Sequence, residues 1–471
     1  MQTEASLTSK AIDEQIIAEF QAGFRGELLR SGDAGYEDAR KVFKAMIDKR
    51  PAIIARCAGA VDVIRAMNFA RAHNLLIAVR GVGHNVAGTS ICEGGILIDL
   101  FRMKGMRIDP VKRTVRVEPG LTWGEVNDDL QAFGLAATGG FVSTTGVSGL
   151  TVGGGLGWLV RKYGLALDNL LSVDVVTADG SFLTASSTQN EDLFWGIRGG
   201  GGNFGIVTSF EFEVHPAGVV LAGLVLHPVG NGREALRFWR TFEATAPEEF
   251  TAGAVIFNAP AGLPLPEGLR NGAIVGMGGV YAGPLETGEQ ALRPLRQFGP
   301  PLADMFQNMP YSAAQKMADF LWPRGLYNYW KSSYLKELSD DAIDTILEFV
   351  MKVPSPRTVV VLEHNGNGAM SRIPEETTAF GGRQWPFNFL VTSAWTDATA
   401  GEANIRWTRA FWDAMQPFLA NAAYINYLGE EGEDRVRAAY GAIKYERLAA
   451  LKKKYDPTNL FRLNQNIKPA A

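Results

Sequence analysis

Along the first third of the chain, apolar positions switch between a helical period and a strand period. Ala60, Val63, Ile64, Met67 and Ala70 share one helix face, which predicts a helix over Ala60–His73. Looser forms of the same spacing predict helices over Ile12–Phe24 and Tyr36–Ile47. Short apolar runs at Leu75–Val79 and Gly95–Leu100 predict buried strands, and the alternation of Thr114–Glu118 predicts a half-buried one. Gly120 precedes a helix that opens with a capping box, Thr122 with Glu125, and with Leu121 placed as a staple. Leu171–Ser186 reads as a hairpin around Asp179-Gly180, and Ile206–Val214 as a strand with one wet face.

Past His215-Pro216 the texture changes. Proline and loop residues increase through Ala259–Leu269; helical spacing returns at Glu289–Phe298, Asp341–Met351 and Ala403–Leu419, with strand-like runs at Val359–Leu362 and Phe387–Thr392. A charged helix at Glu433–Tyr455 leads to a turn at Asp456–Asn459 and an asparagine-rich tail, a composition that suits a segment docked on another part of the fold. The expectation is an α+β protein of two domains, 1–215 with 420–471 returning to it, and 216–419.

Composition narrows the function. A chain of 471 residues suits two domains, and 46% hydrophobic with 20% charged residues is globular. Lys plus Arg (46) against Asp plus Glu (50) leaves a net charge of −4, which argues against nucleic acid as a partner. Two cysteines, Cys57 and Cys92, exclude a disulfide scaffold or a Cys-rich zinc site, and His73, His215 and His227 show no metal-ligand spacing. No run of about 18 apolar residues exists and the N-terminus lacks a secretory pattern, so a cytoplasmic protein with no membrane partner is expected. Oligomeric state is not legible.

Glycine carries the strongest signal. Of 53, eight fall within Gly139–Gly157 and six within Gly196–Gly205. Arg80-Gly81-Val82-Gly83-His84-Asn85 follows a strand, and alternate glycines there let backbone N–H groups face an anion. The third glycine of a dinucleotide fingerprint is missing, since position 86 is Val86. Gly153-Gly154-Gly155-Leu156-Gly157 leaves room for an extended ligand to press on the backbone; the plain alternative is a glycine-rich surface loop. A third loop, Phe194 to Gly205, feeds the next strand. Three such loops in one domain point to a long cofactor with a diphosphate, held by backbone.

Together the Arg-Gly-x-Gly-His-Asn loop, the run from Gly153 through Trp158 to Asn169, the block ending Gly205-Ile206-Val207, and Phe461-Arg462-Leu463-Asn464-Gln465-Asn466-Ile467 resemble the berberine bridge enzyme branch of the vanillyl alcohol oxidase-type flavoproteins. The resemblance spans about Arg25 to Pro469 and implies the two-domain FAD-binding fold of that family, with an antiparallel sheet covered by helices as the substrate domain. It implies cofactor contacts from Arg80 through Asn85, from Val142, Thr145, Gly146 and Gly149, and from Gly153, Gly154, Gly155, Trp158 and Asn169. Gly205, Ile206, Val207, Asn464 and Asn466 complete the implied set. In this family the histidine of the first loop, here His84, is bonded to the flavin's 8α-methyl carbon. Many members add a cysteinyl bond, but that position is Val142, so a singly linked flavin is implied, as in 6-hydroxy-D-nicotine oxidase-like members. Thr145 stands where relatives carry valine when oxygen reaches the flavin and leucine when it does not.

The implied activity is removal of a hydride from a C–OH or C–N carbon of a small molecule, with dioxygen as the second partner and peroxide as product. The alternatives are a biosynthetic cyclase or dehydrogenase using another acceptor, and a binding protein that keeps the fold. For the base, Tyr424-Ile425-Asn426-Tyr427 resembles the family's Tyr-x-Asn-Tyr strand, in which alternation places Tyr424 and Asn426 on one face and Tyr427 on the other. Glu363 and His364 end an apolar run, and either can point inward.

Overall fold

The computed structural model describes residues 13–259 and 272–471. The first residue of the expected Ile12–Phe24 helix and most of Ala259–Leu269 lie outside the described residues. The former helix runs Glu14–Ala22, capped by the Asp13 carboxylate. Ala60–Ala72 is helical as its spacing predicts, and it buries Val63, Ala66, Met67 and Ala70 against a four-stranded sheet. That sheet is ordered Glu27–Leu29, Ile53–Arg56, Ile96–Asp99, Ile77–Arg80; the last three strands are parallel. A second, antiparallel sheet is ordered Met106–Asp109, Thr114–Val117, Ile206–Glu213, Leu170–Val176, Phe182–Ser186. Its hairpin turns through Gly180 at φ +86°, a conformation only glycine adopts without strain. The capping box closes as expected, Glu125 N donating to Thr122 Oγ1 at 3.2 Å and Thr122 N to Glu125 Oε2 at 2.8 Å.

The middle of the chain folds into an eight-stranded antiparallel sheet spanning Val219–Pro228 to Phe387–Trp395. Four amphipathic helices, Gly232–Glu243, Leu285–Gln297, Asp340–Val350 and Gly401–Met415, cover one face through Leu236, Leu292, Ile343 and Phe411. The opposite face looks toward the first two sheets.

Two helical expectations fail for identifiable reasons. Only Tyr36–Ala39 is helical; beyond it the backbone is taken by partners far along the chain, Phe43 N donating to Gly83 O at 2.9 Å and Ala45 N to Leu326 O at 3.0 Å. The single helix expected over Glu433–Tyr455 breaks at Gly441, φ +74°, into Glu433–Tyr440 and Ala442–Tyr455. The polar tail docks. Ile467 N donates to Asn203 Oδ1 at 3.0 Å, and the fully buried Lys452 Nζ donates to the carbonyls of Asn203 and Phe461 at 2.8 Å while pairing with Asp456. No helix among the described residues is long and apolar enough to cross a membrane.

Buried ion pairs tie the helix-covered sheet to the glycine-rich loops. Arg161 and Glu243 are both fully buried and 3.2 Å apart, with the Arg161 guanidinium also donating to Phe250 O and Ala246 O. Arg383 grips Asp168 through two nitrogens at 2.6 and 3.0 Å. Removing one member of such a pair strands the other charge in a dry interior, so Arg161→Ala is expected to lower stability by about 3–5 kcal/mol. Urea unfolding of the flavin-loaded protein measures this, and an unchanged midpoint would contradict it.

Candidate functional site

A cavity of about 2390 Å³, its mouth included, lies between the glycine loops and the uncovered face of the large sheet. One wall is loop backbone. Gly81–Val86 borders it, as do Gly146 and Gly149, then Gly201–Asn203 and Gly205–Val207, and finally Asn464 in the docked tail. Val142, Thr145 and Trp158 reach the same wall, Trp158 fixed by donation from Nε1 to Phe141 O at 3.0 Å. At Gly149 and Gly202 an added Cβ would meet nothing within 4 Å, so the wall there is bare backbone beside open space.

His84 stacks on Phe43, ring centroids 4.0 Å apart, and its Nε2 lies 3.2 Å from Thr144 Oγ1. Its Nδ1 has no hydrogen-bond partner among the described residues. Burial, with the nearby Arg324 charge, pulls the imidazole down to about 3, so the ring is neutral and keeps a free lone pair at ordinary pH. Arg80 does not reach the cavity wall: it is buried against Asp99 at 2.7 Å and props the loop from behind.

Several expected cofactor contacts lie elsewhere. Gly153, Gly154 and Gly155 do not border the cavity; protein fills the space a side chain would need. A Cβ on Gly153 would strike Asn426, one on Gly154 would lie 2.7 Å from the Tyr424 ring, and one on Gly155 would strike Ala166. Asn169 is likewise structural. Its amide donates to Thr138 Oγ1, Tyr163 O and Leu165 O, and its oxygen meets His215 at 2.5 Å. His215, to which the sequence reading gives no role, stacks on Tyr163 and locks that amide. Asn466 is not part of the wall. The side-chain oxygens of Asn464 and Asn466 are buried without a partner, as is Ser90 Oγ on the wall. Buried polar atoms normally find partners, so the two on the wall, Asn464 Oδ1 and Ser90 Oγ, fit a polar ligand such as a flavin dinucleotide.

The opposite wall holds the titratable groups. Strand alternation in Val359–His364 separates the neighbours Glu363 and His364. Glu363 faces the cavity, whereas His364 points into the helix layer, its Nδ1 3.1 Å from Glu243. The Tyr-x-Asn-Tyr segment is not a strand: Ile425–Tyr427 is one turn of 3₁₀-helix, which places residues three apart on the same side. Tyr424 and Tyr427 therefore sit together, ring centroids 4.8 Å apart, and both border the cavity with Asn426.

Their hydroxyls are used differently. Tyr424 Oη accepts from Gly155 N at 2.9 Å, Leu156 N at 3.3 Å and Asn426 Nδ2 at 2.8 Å, so it anchors the glycine loop. Burial still pushes this phenol up to about 12. Tyr427 Oη donates to Glu363 Oε1 at 2.8 Å, and Asn388 Nδ2 donates to Glu363 Oε2 at 2.8 Å. Burial raises the Glu363 carboxyl to about 7 against the downward pull of these two donors. Tyr427 and Asn388 escape a reading based on strand alternation; the signal for Tyr427 was the three-residue spacing from Tyr424. Among the described residues there is no cluster of three metal-ligating side chains. Cys57 and Cys92 are buried outside the cavity, and burial holds both thiols well above their usual range.

The description "FAD binding domain" fits residues 51–186, and "Berberine and berberine like" fits residues 423–468. The chain is 30% identical over 459 residues to an FAD-linked oxidoreductase of Dictyostelium discoideum, covering 97% of each. It is 28% identical to (R)-6-hydroxynicotine oxidase of Paenarthrobacter nicotinovorans, covering 94% of this chain and 97% of that one. The crystal structure of 6-hydroxy-D-nicotine oxidase from Arthrobacter nicotinovorans superposes with a TM-score of 0.86 at 27% identity, covering 95% of this chain and 98% of that one. The chain belongs to the berberine-like family of FAD-linked oxidoreductases. It is an FAD-binding enzyme.

A carboxyl titrating near neutrality leaves a spectroscopic trace. Infrared difference spectra of the flavin-loaded protein are expected to show a protonated carboxyl band that vanishes with a midpoint near pH 7. Glu363→Gln should lack it; a band unchanged in that variant would assign the signal elsewhere.

Proposed function

We propose that the protein is an oxidase that takes a hydride from a C–OH or C–N carbon of a small molecule, with Glu363 as the proton sink and Tyr427 as the relay. The observation that carries this is the Tyr427–Glu363 hydrogen bond, 2.8 Å, inside the cavity whose other wall bears His84 and the unpartnered amide oxygen of Asn464. Similarity to a hydroxynicotine oxidase supports the oxidase reading. When bound, FAD supplies the two-electron acceptor for the hydride and passes the electrons to dioxygen, yielding hydrogen peroxide.

The protein's share is binding, orientation and proton movement. Backbone amides of Gly81–Val86 and the bare backbone at Gly149 and Gly202 would take the cofactor, with Asn464 meeting its polar atoms. His84 would hold it covalently through the unpartnered Nδ1, and alone, because Val142 occupies the second attachment position and neither cysteine is near. A substrate hydroxyl or amine would give its proton to Tyr427 Oη as Tyr427 passes its own to Glu363 Oε1. That transfer leaves no charge on Tyr427, whose phenol is held well above its usual range by burial first and by the neighbouring carboxylate second. Tyr424 is excluded from this role because its oxygen is committed to the loop amides. Thr145 borders the cavity with a side chain of valine's size and leaves room for dioxygen.

Denaturation tests the attachment: flavin is expected to stay with the wild-type polypeptide and to be released from His84→Ala. Release from wild type would defeat the covalent reading. The pH dependence follows from a raised carboxyl. Glu363 accepts a proton only above about 7, so the rate of anaerobic flavin reduction should climb as pH rises through that value and level off above it. Tyr427→Phe should slow reduction by roughly 10²–10⁴-fold with little change in KM, and Glu363→Gln should remove the pH limb. In rapid mixing with oxygen, Thr145→Leu should slow reoxidation while leaving reduction intact.

A further inference from the structure

The register of the large sheet places a side-chain-free strip beside the reacting carboxylate. Reading across the strands at the level of Glu363, Leu224 pairs with Gly278, Gly278 with Gly253, Gly253 with Glu363, and Glu363 with Asn388. Leu224, Gly278, Gly253 and Glu363 all border the cavity. Adjacent strands lie about 4.8 Å apart, so Gly253 leaves a bare strip of roughly one strand's width beside Glu363, whereas at Gly278 the Gly223 carbonyl, Leu224 backbone and Phe306 ring take the space a side chain would need. A Cβ at Gly253 would meet only the Leu362 carbonyl, at 3.0 Å, within 4 Å. The neighbouring level of the cavity wall is apolar, with Val255 opposite Val361 and Val361 opposite Leu390.

Aromatic rings flank this face of the sheet. Phe320 and Trp322 border the cavity from the segment that follows the short helix Tyr311–Ala314, and Trp330 borders it from the strand Tyr327–Leu335. Trp322 spends its one donor on Thr392 Oγ1 at 3.2 Å and so presents only ring surface to a ligand. Phe320 is 44% exposed, a large apolar ring left uncovered at the cavity. Polar groups on this side are few. Tyr424 and Asn426 are committed to the glycine loop, and Trp330 Nε1 is one unpartnered donor. What remains is the Glu363–Tyr427 pair. A sugar bound here would leave most of its hydroxyls buried without partners, which costs far more than its contacts return.

We propose that the substrate has a flat, apolar ring body lying over Gly253 and flanked by Phe320, Trp322 and Trp330, and a single hydroxyl or amine at Tyr427–Glu363. Polyhydroxylated sugars are not substrates. The inference rests on the oxidoreductase reading above and adds the chemical class that reading leaves open. The reaction is the same: one C–H bond gives a hydride, one O–H or N–H bond gives a proton, and the carbon gains a double bond to oxygen or nitrogen.

The test uses the flavin-loaded enzyme with 1-indanol and 1,2,3,4-tetrahydroisoquinoline as ring-bearing probes, and cellobiose and xylobiose as sugars. Binding is read by perturbation of the flavin spectrum and by tryptophan fluorescence, and turnover by anaerobic bleaching. At least one ring probe is expected to bind and bleach, and neither sugar to do either at the same concentration. Gly253→Val should weaken binding of the ring probe by roughly 10- to 200-fold, the scale on which a pocket senses one or two carbon atoms. Gly253→Ala, a milder filling of the strip, should give a smaller loss in the same direction. Bleaching by a sugar, failure of both ring probes to bind, or unchanged affinity in a folded Gly253 variant each overturns the proposal. Failure of the oxidoreductase reading looks different: dithionite would then reduce the flavin while no probe that binds ever bleaches it, and the substrate assignment falls with it.

Discussion

A carboxyl group buried without a cation is costly to ionise, and the reactive end of this cavity is organised around that cost. Glu363 forms no ion pair among the described residues and is stabilised only by donation from Tyr427 and Asn388. Two neutral donors lower the penalty without cancelling it, which is why the group titrates near 7, where it can both take and release a proton. An arginine in place of Asn388 would stabilise the charge further and pull the carboxyl back to its ordinary range, and the proton sink would be lost. The same constraint requires the apolar surroundings that Val361, Leu390 and Trp330 provide.

The two ends of the cavity are set by opposite uses of glycine. At Gly149 and Gly202 the missing side chain faces open space, whereas at Gly153–Gly155 it makes room for Tyr424, Asn426 and Ala166. The sequence shows both runs as close-approach loops, and nothing in residue type says whether the visitor is a ligand or the chain's own C-terminal segment. Asn169 illustrates the same ambiguity: an amide in a family motif, saturated by three carbonyl and hydroxyl acceptors and by His215.

What was legible in the chain was local or periodic. The Thr122–Glu125 capping box, the Asp179-Gly180 hairpin and the helix over Ala60–Ala72 follow from interactions within a few residues, and each is found. Period-two alternation also explains why Glu363 and His364 diverge, although which of them meets the cavity depends on the helix layer claiming His364 through Glu243. The misses were settled by distant partners. The stretch after Ala39 gives its amides to Gly83 and Leu326, and the tyrosine segment winds into a 3₁₀ turn whose side chains bridge the glycine loop and the sheet. Propensity over a short window cannot anticipate such pairings.

The Tyr424 tie carries a consequence for biosynthesis. Its hydroxyl holds the Gly155 amide across a separation of 269 positions, and the tail reaches back from Ile467 to Asn203 in the same way. At a translation rate of about 5–20 residues per second, the glycine bed leaves the ribosome tens of seconds before the tyrosine that braces it. A nascent chain therefore holds an open half-site, and cofactor capture belongs to the released polypeptide. Any event that stops synthesis just short of Tyr424 yields a protein with every glycine loop in place and nothing to hold the Gly155 loop shut.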